Sequence, residues 1–237
     1  MSIPFLFIDL ESTYLMKKYA IIVAGGTGKR MGESIPKQFL KLGGTPILIH
    51  TLTAFKTADP EIEVILTLPQ EEIQFWDELN IWHHNFLEHK VVPGGETRFH
   101  SVKNALEYVG EGLVAVHDGV RPFVSAKTIN QSFEQAKEYK AVVTAVLMKD
   151  SVRQVDETGN SKNIDRSSLR MIQTPQTFDA GLLKSAYEIP FNPSFTDDAS
   201  VVEAGGHSIT LIDGEYQNIK ITTPEDLIIA EALLKAK

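Results

Sequence analysis

With 237 residues and a formal net charge of -8, the chain is long enough for one sizeable core and too acidic to hold nucleic acid or an anionic membrane by general attraction. It contains no cysteine, which excludes disulfides, thiolate zinc sites and a cysteine nucleophile. Apolar residues at 43% and charged residues at 23% are ordinary for a globular protein, and no run approaches the roughly 18 apolar residues of a membrane span.

Residues 1–15 precede a second methionine, Met16, and MKKYAIIVAGG makes a natural start before a first strand. No cationic leader or small-residue cleavage site marks a signal peptide. Residues 1–15 are therefore expected to be a poorly ordered appendage, residues 16–237 a single domain, and the protein cytoplasmic.

The apolar run Tyr19 to Val23 predicts a strand, which ends in Ala24, Gly25, Gly26, Thr27 and Gly28. A glycine turn lets backbone amides close around an anion, because no Cβ holds it off. Between Met16 and Leu42 stand six cations (Lys17, Lys18, Lys29, Arg30, Lys37 and Lys41) against one acid, Glu33. Cations gathered in an acidic chain point to a specific polyanionic ligand. Neither familiar glycine loop fits: the P-loop needs Ser or Thr after its lysine, where Arg30 stands, and the dinucleotide fingerprint meets Met31 in place of its third glycine.

Pro46 opens a predicted helix carrying Leu48, Leu52 and Phe55, and Ile62 to Leu68 reads as a strand covered on both faces. Residues 71–86 read as a helix through Ile73, Trp76 and Leu79. His83, His84 and His89 match no zinc-enzyme spacing and read as a solvated helix end. Lys90 to Pro93 is a short strand, and the GGETRFHSV that follows forms a second glycine turn, the expected second wall of one crevice. Leu113 to His117 is a strand ending in DGVRPF, where Asp118 can serve a metal, a ribose or a structural pair with Arg121.

A helix over 126–139 and a strand over 141–147 follow. Residues 149–168 are polar, and Val152, Val155 and Ile164 flank a turn at 157–160, so they predict a β-hairpin arm that lacks an apolar face for the core. Such an arm is expected to pair with a second subunit. QTPQTF (173–178) predicts a proline turn back to the core, and Asp179 a helix cap. A further cap stands at Thr196 or Asp197, with Gly205 as the stop. Residues 209–213 predict a strand, and NIKITTPEDL places Lys220 at another strand end before a closing amphipathic helix. Strand and helix alternate throughout, so the fold class is α/β: a Rossmann-like, mostly parallel sheet flanked by helices, with the arm projecting from it.

Seven stretches in order, AGGTGKRM, PKQF, GGETRFHSV, VHDGVRPF, DRSSLRMIQTPQTF, TDDAS and NIKITTPEDL, resemble the 2-C-methyl-D-erythritol 4-phosphate cytidylyltransferases of non-mevalonate isoprenoid synthesis. The similarity runs from about Lys18 to the C-terminus. It implies a nucleotidyltransferase that moves the cytidylyl group of CTP onto the phosphate of methylerythritol phosphate with Mg2+ or another divalent cation, releasing pyrophosphate. It implies that Ala24, Gly25, Gly26, Thr27 and Gly28 wrap the triphosphate, that Arg30, Lys37 and Lys220 brace the reacting phosphates, and that Gly95, Glu96 and Ser101 read cytosine. Asp118 falls on a ribose or metal-side position, while Arg121, Ser151, Arg166 and Thr196 fall on the polyol phosphate side, Arg166 coming from the neighbouring subunit of a homodimer. Glu96, Ser151 and Gly119 depart from the family's usual shorter acid, threonine and alanine, and Gly119 is expected to make its turn more permissive. Ribitol 5-phosphate cytidylyltransferases share the first two motifs, sugar-1-phosphate nucleotidyltransferases come next, and an idle nucleotide binder is the reading from another class.

Overall fold

Side chains alternate along β1 (Lys18–Val23) between two covered faces: Ala20 and Ile22 point one way, Tyr19 and Ile21 the other, and all four are buried. A strand covered on both sides belongs in the middle of a parallel sheet. The computed structural model describes residues 16–26, 35–82 and 87–236, with backbone alone at 80–82. The appendage expected at 1–15, residues 27–34 of the first loop, and His83 and His84 lie outside these residues.

The remaining large strands are β4 (Glu63–Leu68), β5 (Lys90–Pro93), β6 (Leu113–Asp118), β7 (Ala141–Leu147), β10 (Arg170–Asp179) and β11 (Thr210–Asp213). They form one seven-stranded sheet in the order β11-β7-β10-β6-β1-β4-β5, parallel except for β10, which runs against both β6 and β7. Two residue pairs, β2 (Lys41–Leu42) and β3 (Thr45–Pro46), make a small antiparallel ladder, and β8 (Val152–Val155) and β9 (Ser161–Ile164) form the expected hairpin arm. The sheet grows outward from β1 to β5, then returns to place β6 on the other side of β1. That reversal opens a crevice at the carboxyl ends of the strands.

Helices cover both faces. On one, α1 (Ile47–Ala58), α2 (Ile73–Trp82) and α4 (Ala126–Tyr139) bury Leu48, Leu52, Phe55, Trp76, Ile129 and Phe133. On the other, α3 (Arg98–Leu106), α5 (Ala180–Ala186) and α6 (Asp198–Ala204) bury Phe99, Val102, Leu183 and Val201. Each such side chain contributes about 1.5–3 kcal/mol. The last helix, α7 (Pro224–Lys235), lays Leu227, Ala230 and Leu234 on a third cluster with Leu42 and Ile47, while Ile228 and Ile229 face outward. Among the described residues no helix is long and apolar enough to cross a membrane.

Two expectations need correction. QTPQTF is no turn: it lies inside β10, where the pairing with β7 shifts register between Ile172 and Gln176. The irregularity accommodates Pro175, which has no N–H for the ladder. Lys220 ends no strand either. Its segment is an extended connection tied to the body by the Ile221 N–H donating to the Val120 carbonyl (3.0 Å).

His117, on β6, is wholly buried, with the edge of its ring against Phe55. The Thr174 hydroxyl accepts from the Asp118 N–H (3.1 Å), so it donates to His117 Nδ1 (3.1 Å), and Nε2–H donates to the Arg121 carbonyl (3.2 Å). These bonds suit one neutral tautomer. Burial drives the imidazole pKa down to about 3, overcoming the pull of Asp118. Between that value and the ordinary 6.5 the unfolded chain binds a proton that the folded one refuses, so His117 contributes stability above pH 6.5 that drains away as pH falls. Urea titrations at pH 7 and pH 5 are expected to show a loss larger in the native protein than in His117→Gln by roughly 1–2 kcal/mol. Equal losses would mean that His117 titrates normally.

Candidate active site

Two glycine turns form the walls of the crevice. After β1 the chain passes Ala24, Gly25 and Gly26; after β5 it passes Gly94 and Gly95 into Glu96 and Thr97, and both stretches line a cavity of about 230 Å³. Thr97 caps α3 by accepting from the His100 N–H. The Ser101 hydroxyl accepts from the Gly95 N–H (3.0 Å) and donates to the Thr97 carbonyl (3.0 Å), which fixes the second turn. Lys37 opens a short 3-10 turn and crosses to the first wall. A Cβ on Gly26 would stand 3.1 Å from Lys37 Cε and 3.4 Å from its Nζ, so glycine is what lets the lysine lie across the loop. Gln38, beside it, donates to Glu72 (2.6 Å), while its buried Oε1 has no partner among the described residues.

Asp118 closes the floor. It stands opposite Val23 at the end of β6, and its Oδ2 takes Lys220 Nζ at 3.0 Å and Arg121 Nε at 3.1 Å, with Arg98 Nε 3.7 Å from Oδ1. Burial would raise its carboxyl pKa, but the charges of Arg98, Lys220 and Arg121 outweigh burial and hold it well below the carboxylate range. Arg121 also donates through Nη1 to the Asn218 carbonyl (2.8 Å), so it anchors the segment that carries Lys220. Asp118 and Arg121 thus form the structural pair, at a position that also borders the cavities.

A second cavity, of about 250 Å³, shares Arg98, Asp118 and Lys220 with the first and adds Arg121, Gln176, Thr196 and Asp197. Arg98 donates through Nη2 to Asp198 (2.7 Å), whose other oxygen accepts from the Tyr187 hydroxyl (2.7 Å). Asp198 and Asp118 hold the Arg98 pKa above its ordinary value despite burial, and burial next to Asp198 raises that of Tyr187, so Tyr187 remains a donor. Around the second cavity Arg98, Arg121 and Lys220 are matched by Asp118, Asp197 and Asp198, so the cations there stand in close pairs with carboxylates.

Of the residues singled out from sequence, Ala24, Gly25, Gly26, Lys37, Gly95, Glu96, Ser101, Asp118 and Lys220 surround the first cavity, and Arg121 and Thr196 border the second. Thr27, Gly28 and Arg30 lie outside the described residues. Ser151 and Arg166 are not brought to either cavity within the chain. Both are exposed at the arm, where Arg166 donates to the Lys149 carbonyl. Lys17 and Lys18 must leave the proposed cationic cluster: they stand at the opposite end of β1, paired with Glu63 and Asp59. Gly119 does not loosen its turn, because a Cβ there would meet Ala24 Cβ at 3.0 Å and Leu48 Cδ1 at 3.1 Å. Arg98 and Asp198 were missed, although both sit inside stretches already singled out, GGETRFHSV and TDDAS.

Asp118 is the carboxylate that a divalent cation would meet here. Its Oδ2 is engaged by two cations while Oδ1 faces Arg98 beyond hydrogen-bond length, and the described residues contain no group of three metal-ligating side chains. That donor set fits an ion such as Mg2+, which takes one or two carboxylates and finds its remaining ligands in phosphate and water.

Residues 18–236 match the family model for 2-C-methyl-D-erythritol 4-phosphate cytidylyltransferase. A protein of that name from Bacteroides thetaiotaomicron is 52% identical over 220 residues, covering 92% of this chain and 100% of the relative, and one from Bacteroides fragilis is equally similar. Among solved structures, the 4-diphosphocytidyl-2C-methyl-D-erythritol synthase of Anaerococcus prevotii superposes with a TM-score of 0.79 at 32% identity, covering 93% of this chain and 96% of that one. The cytidylyltransferase of Thermus thermophilus gives a TM-score of 0.76 at 32% identity, with 93% and 100% covered. With the family model spanning residues 18–236 and relatives 52% identical along their whole length, the chain belongs to the 2-C-methyl-D-erythritol 4-phosphate cytidylyltransferase family.

Proposed function

We propose that this protein transfers the cytidylyl group of CTP to 2-C-methyl-D-erythritol 4-phosphate, giving 4-diphosphocytidyl-2-C-methyl-D-erythritol and pyrophosphate. The observation that carries the reading is the junction at Asp118, where a glycine-walled cavity and a second polar cavity meet among Arg98, Arg121 and Lys220. In this reading the nucleotide occupies the first cavity, its triphosphate along Ala24, Gly25 and Gly26 toward Lys37, and its base against Gly95, Glu96 and Ser101. The acceptor occupies the second, near Arg121 and Thr196.

An oxygen of the acceptor phosphate attacks the α-phosphorus, a new P–O bond forms, and the bond to the β-phosphate oxygen breaks with its electron pair leaving on pyrophosphate. The attacking oxygen is already anionic at neutral pH, so the protein supplies no nucleophile. What opposes the reaction is repulsion between two polyanions, and cations placed where charge gathers at phosphorus lower that barrier. Lys37 and Lys220 have that role, with Arg30 assigned to it from the sequence. Lys220 is held by Asp118 at 3.0 Å, so the lysine is oriented before substrate arrives. A divalent cation, Mg2+ or another, would be held by Asp118 and the phosphates, and when bound it neutralises triphosphate charge.

We further propose one catalytic domain over 16–237, acting as a cytoplasmic homodimer, since a reaction consuming CTP belongs where that nucleotide is made. The arm at 149–168 would carry Ser151 and Arg166 to the second cavity of a partner. Support comes from its exposure and from hydrogen bonds that stay within the arm, such as Arg153 to Ser161 and Arg166 to the Lys149 carbonyl.

The purified protein is expected to release pyrophosphate from CTP and Mg2+ with methylerythritol 4-phosphate and not with ribitol 5-phosphate; release with ribitol 5-phosphate alone would move it to the sister activity. Lys37→Ala should lower turnover about 10²-fold or more, and an unchanged rate would remove Lys37 from its role. EDTA should abolish turnover and Mg2+ restore it, whereas full activity in chelator would exclude the metal. Light scattering should give a dimer at micromolar concentration and a monomer once residues 152–164 are deleted; a full-length monomer would overturn the assignment of the arm.

A further inference from the structure

Arg98 has more hydrogen-bonding capacity than its own chain uses. It is the first residue of α3, and among the described residues its guanidinium spends one N–H, on Asp198 at 2.7 Å. Its Nε lies 3.7 Å from Asp118 Oδ1, too far for a hydrogen bond. About a quarter of the side chain is exposed, and it borders both cavities, a property it shares with Asp118 and Lys220. Arg121 is its opposite, nearly buried, with Nε on Asp118 and Nη1 on the Asn218 carbonyl.

The brace behind Arg98 is fully inside the protein. Asp198 has no exposed surface and holds Arg98 with one carboxylate oxygen and the buried Tyr187 hydroxyl with the other. Arg98 partly compensates the charge of buried Asp198, for which the dipole at the start of α6 is too weak alone. What the arrangement also achieves is orientation. A buried carboxylate pinned on both oxygens fixes the plane of the guanidinium that projects into the junction.

We propose that Arg98 is a substrate-binding residue that grips the acceptor's phosphate where the cavities meet, and that Asp198 and Tyr187 are positioning residues acting through it. This rests on the cytidylyl-transfer reading above. A planar guanidinium can hold two oxygens of one phosphate side by side and leave the third to attack, which a lysine cannot do. The acceptor is the fitting partner because the triphosphate has its own loop and Lys37 on the far wall, whereas among the cations of the second cavity Arg98 offers a planar fork, Lys220 a point charge, and Arg121 is committed to Asp118 and the Asn218 carbonyl.

The test is steady-state kinetics on Arg98→Lys, which keeps the charge and loses the fork, alongside Asp198→Asn, which keeps the arginine and slackens its brace. Wild-type pyrophosphate release with methylerythritol 4-phosphate tests the underlying reading. The variants test the inference. Arg98→Lys is expected to raise KM for the acceptor about tenfold or more, with KM for CTP within about twofold and an unchanged urea midpoint. Asp198→Asn should move the acceptor KM the same way by a smaller factor, which also serves if Arg98→Lys fails to fold. An active wild type whose folded variants keep the native acceptor KM would overturn the role of Arg98 and leave the reaction standing. Loss confined to the CTP term would overturn it too, by placing Arg98 on the nucleotide.

Discussion

A single carboxylate shared by three cations organises this molecule. Asp118 could not remain ionised at the end of a buried strand without compensation, and Arg98, Arg121 and Lys220 provide it from three separate segments. Each segment is brought in by a different part of the fold. The second glycine turn delivers Arg98 at the start of a helix, the sequence just beyond β6 delivers Arg121, and the connection before the last helix delivers Lys220. The antiparallel strand adds Thr174, whose hydroxyl takes the Asp118 N–H. The crevice is thus the place where distant pieces of chain are obliged to meet, which makes its geometry a consequence of folding.

The same arrangement reconciles an acidic protein with an anionic ligand. A net charge of -8 opposes the approach of a polyphosphate at long range, but screening limits that repulsion to roughly 8–10 Å at ordinary ionic strength. Inside the crevice cations and carboxylates stand in close pairs instead. Cations held by carboxylates in the absence of ligand need no large rearrangement when phosphate oxygens arrive, and a site that is already organised loses little in ordering itself. Selectivity for a phosphorylated ligand therefore comes from position, and not from bulk charge.

Much of this was legible in the chain. Most of the alternating strands and helices, the cap at Asp179, the cap at Asp197 (one of the two positions offered) and the hairpin arm follow from local patterns and stand near their expected places. The glycine turns and their lysines carried the site. Long-range pairing was not legible. Nothing local marks Arg98 as the partner of Asp198, a hundred positions away, and a count of cations could not tell that Lys17 and Lys18 occupy the wrong end of the first strand. The proline at 175 misled for a related reason: it signals a break in ladder hydrogen bonding, which a register shift inside a strand satisfies as well as a turn does.

The direction of that strand has a wider effect. Because β10 runs against β7, and Arg170 pairs with Leu147, the chain leaves and re-enters the sheet at the edge where the crevice opens. An antiparallel return needs only a short connection, so the residues inserted between the two strands are surplus to what the sheet requires. Sequence drift and changes of length at the tip of the hairpin can therefore proceed without disturbing sheet register. The sheet fixes where the arm departs and not how far it reaches, so the surface that the arm presents is free to change while the interior is held constant.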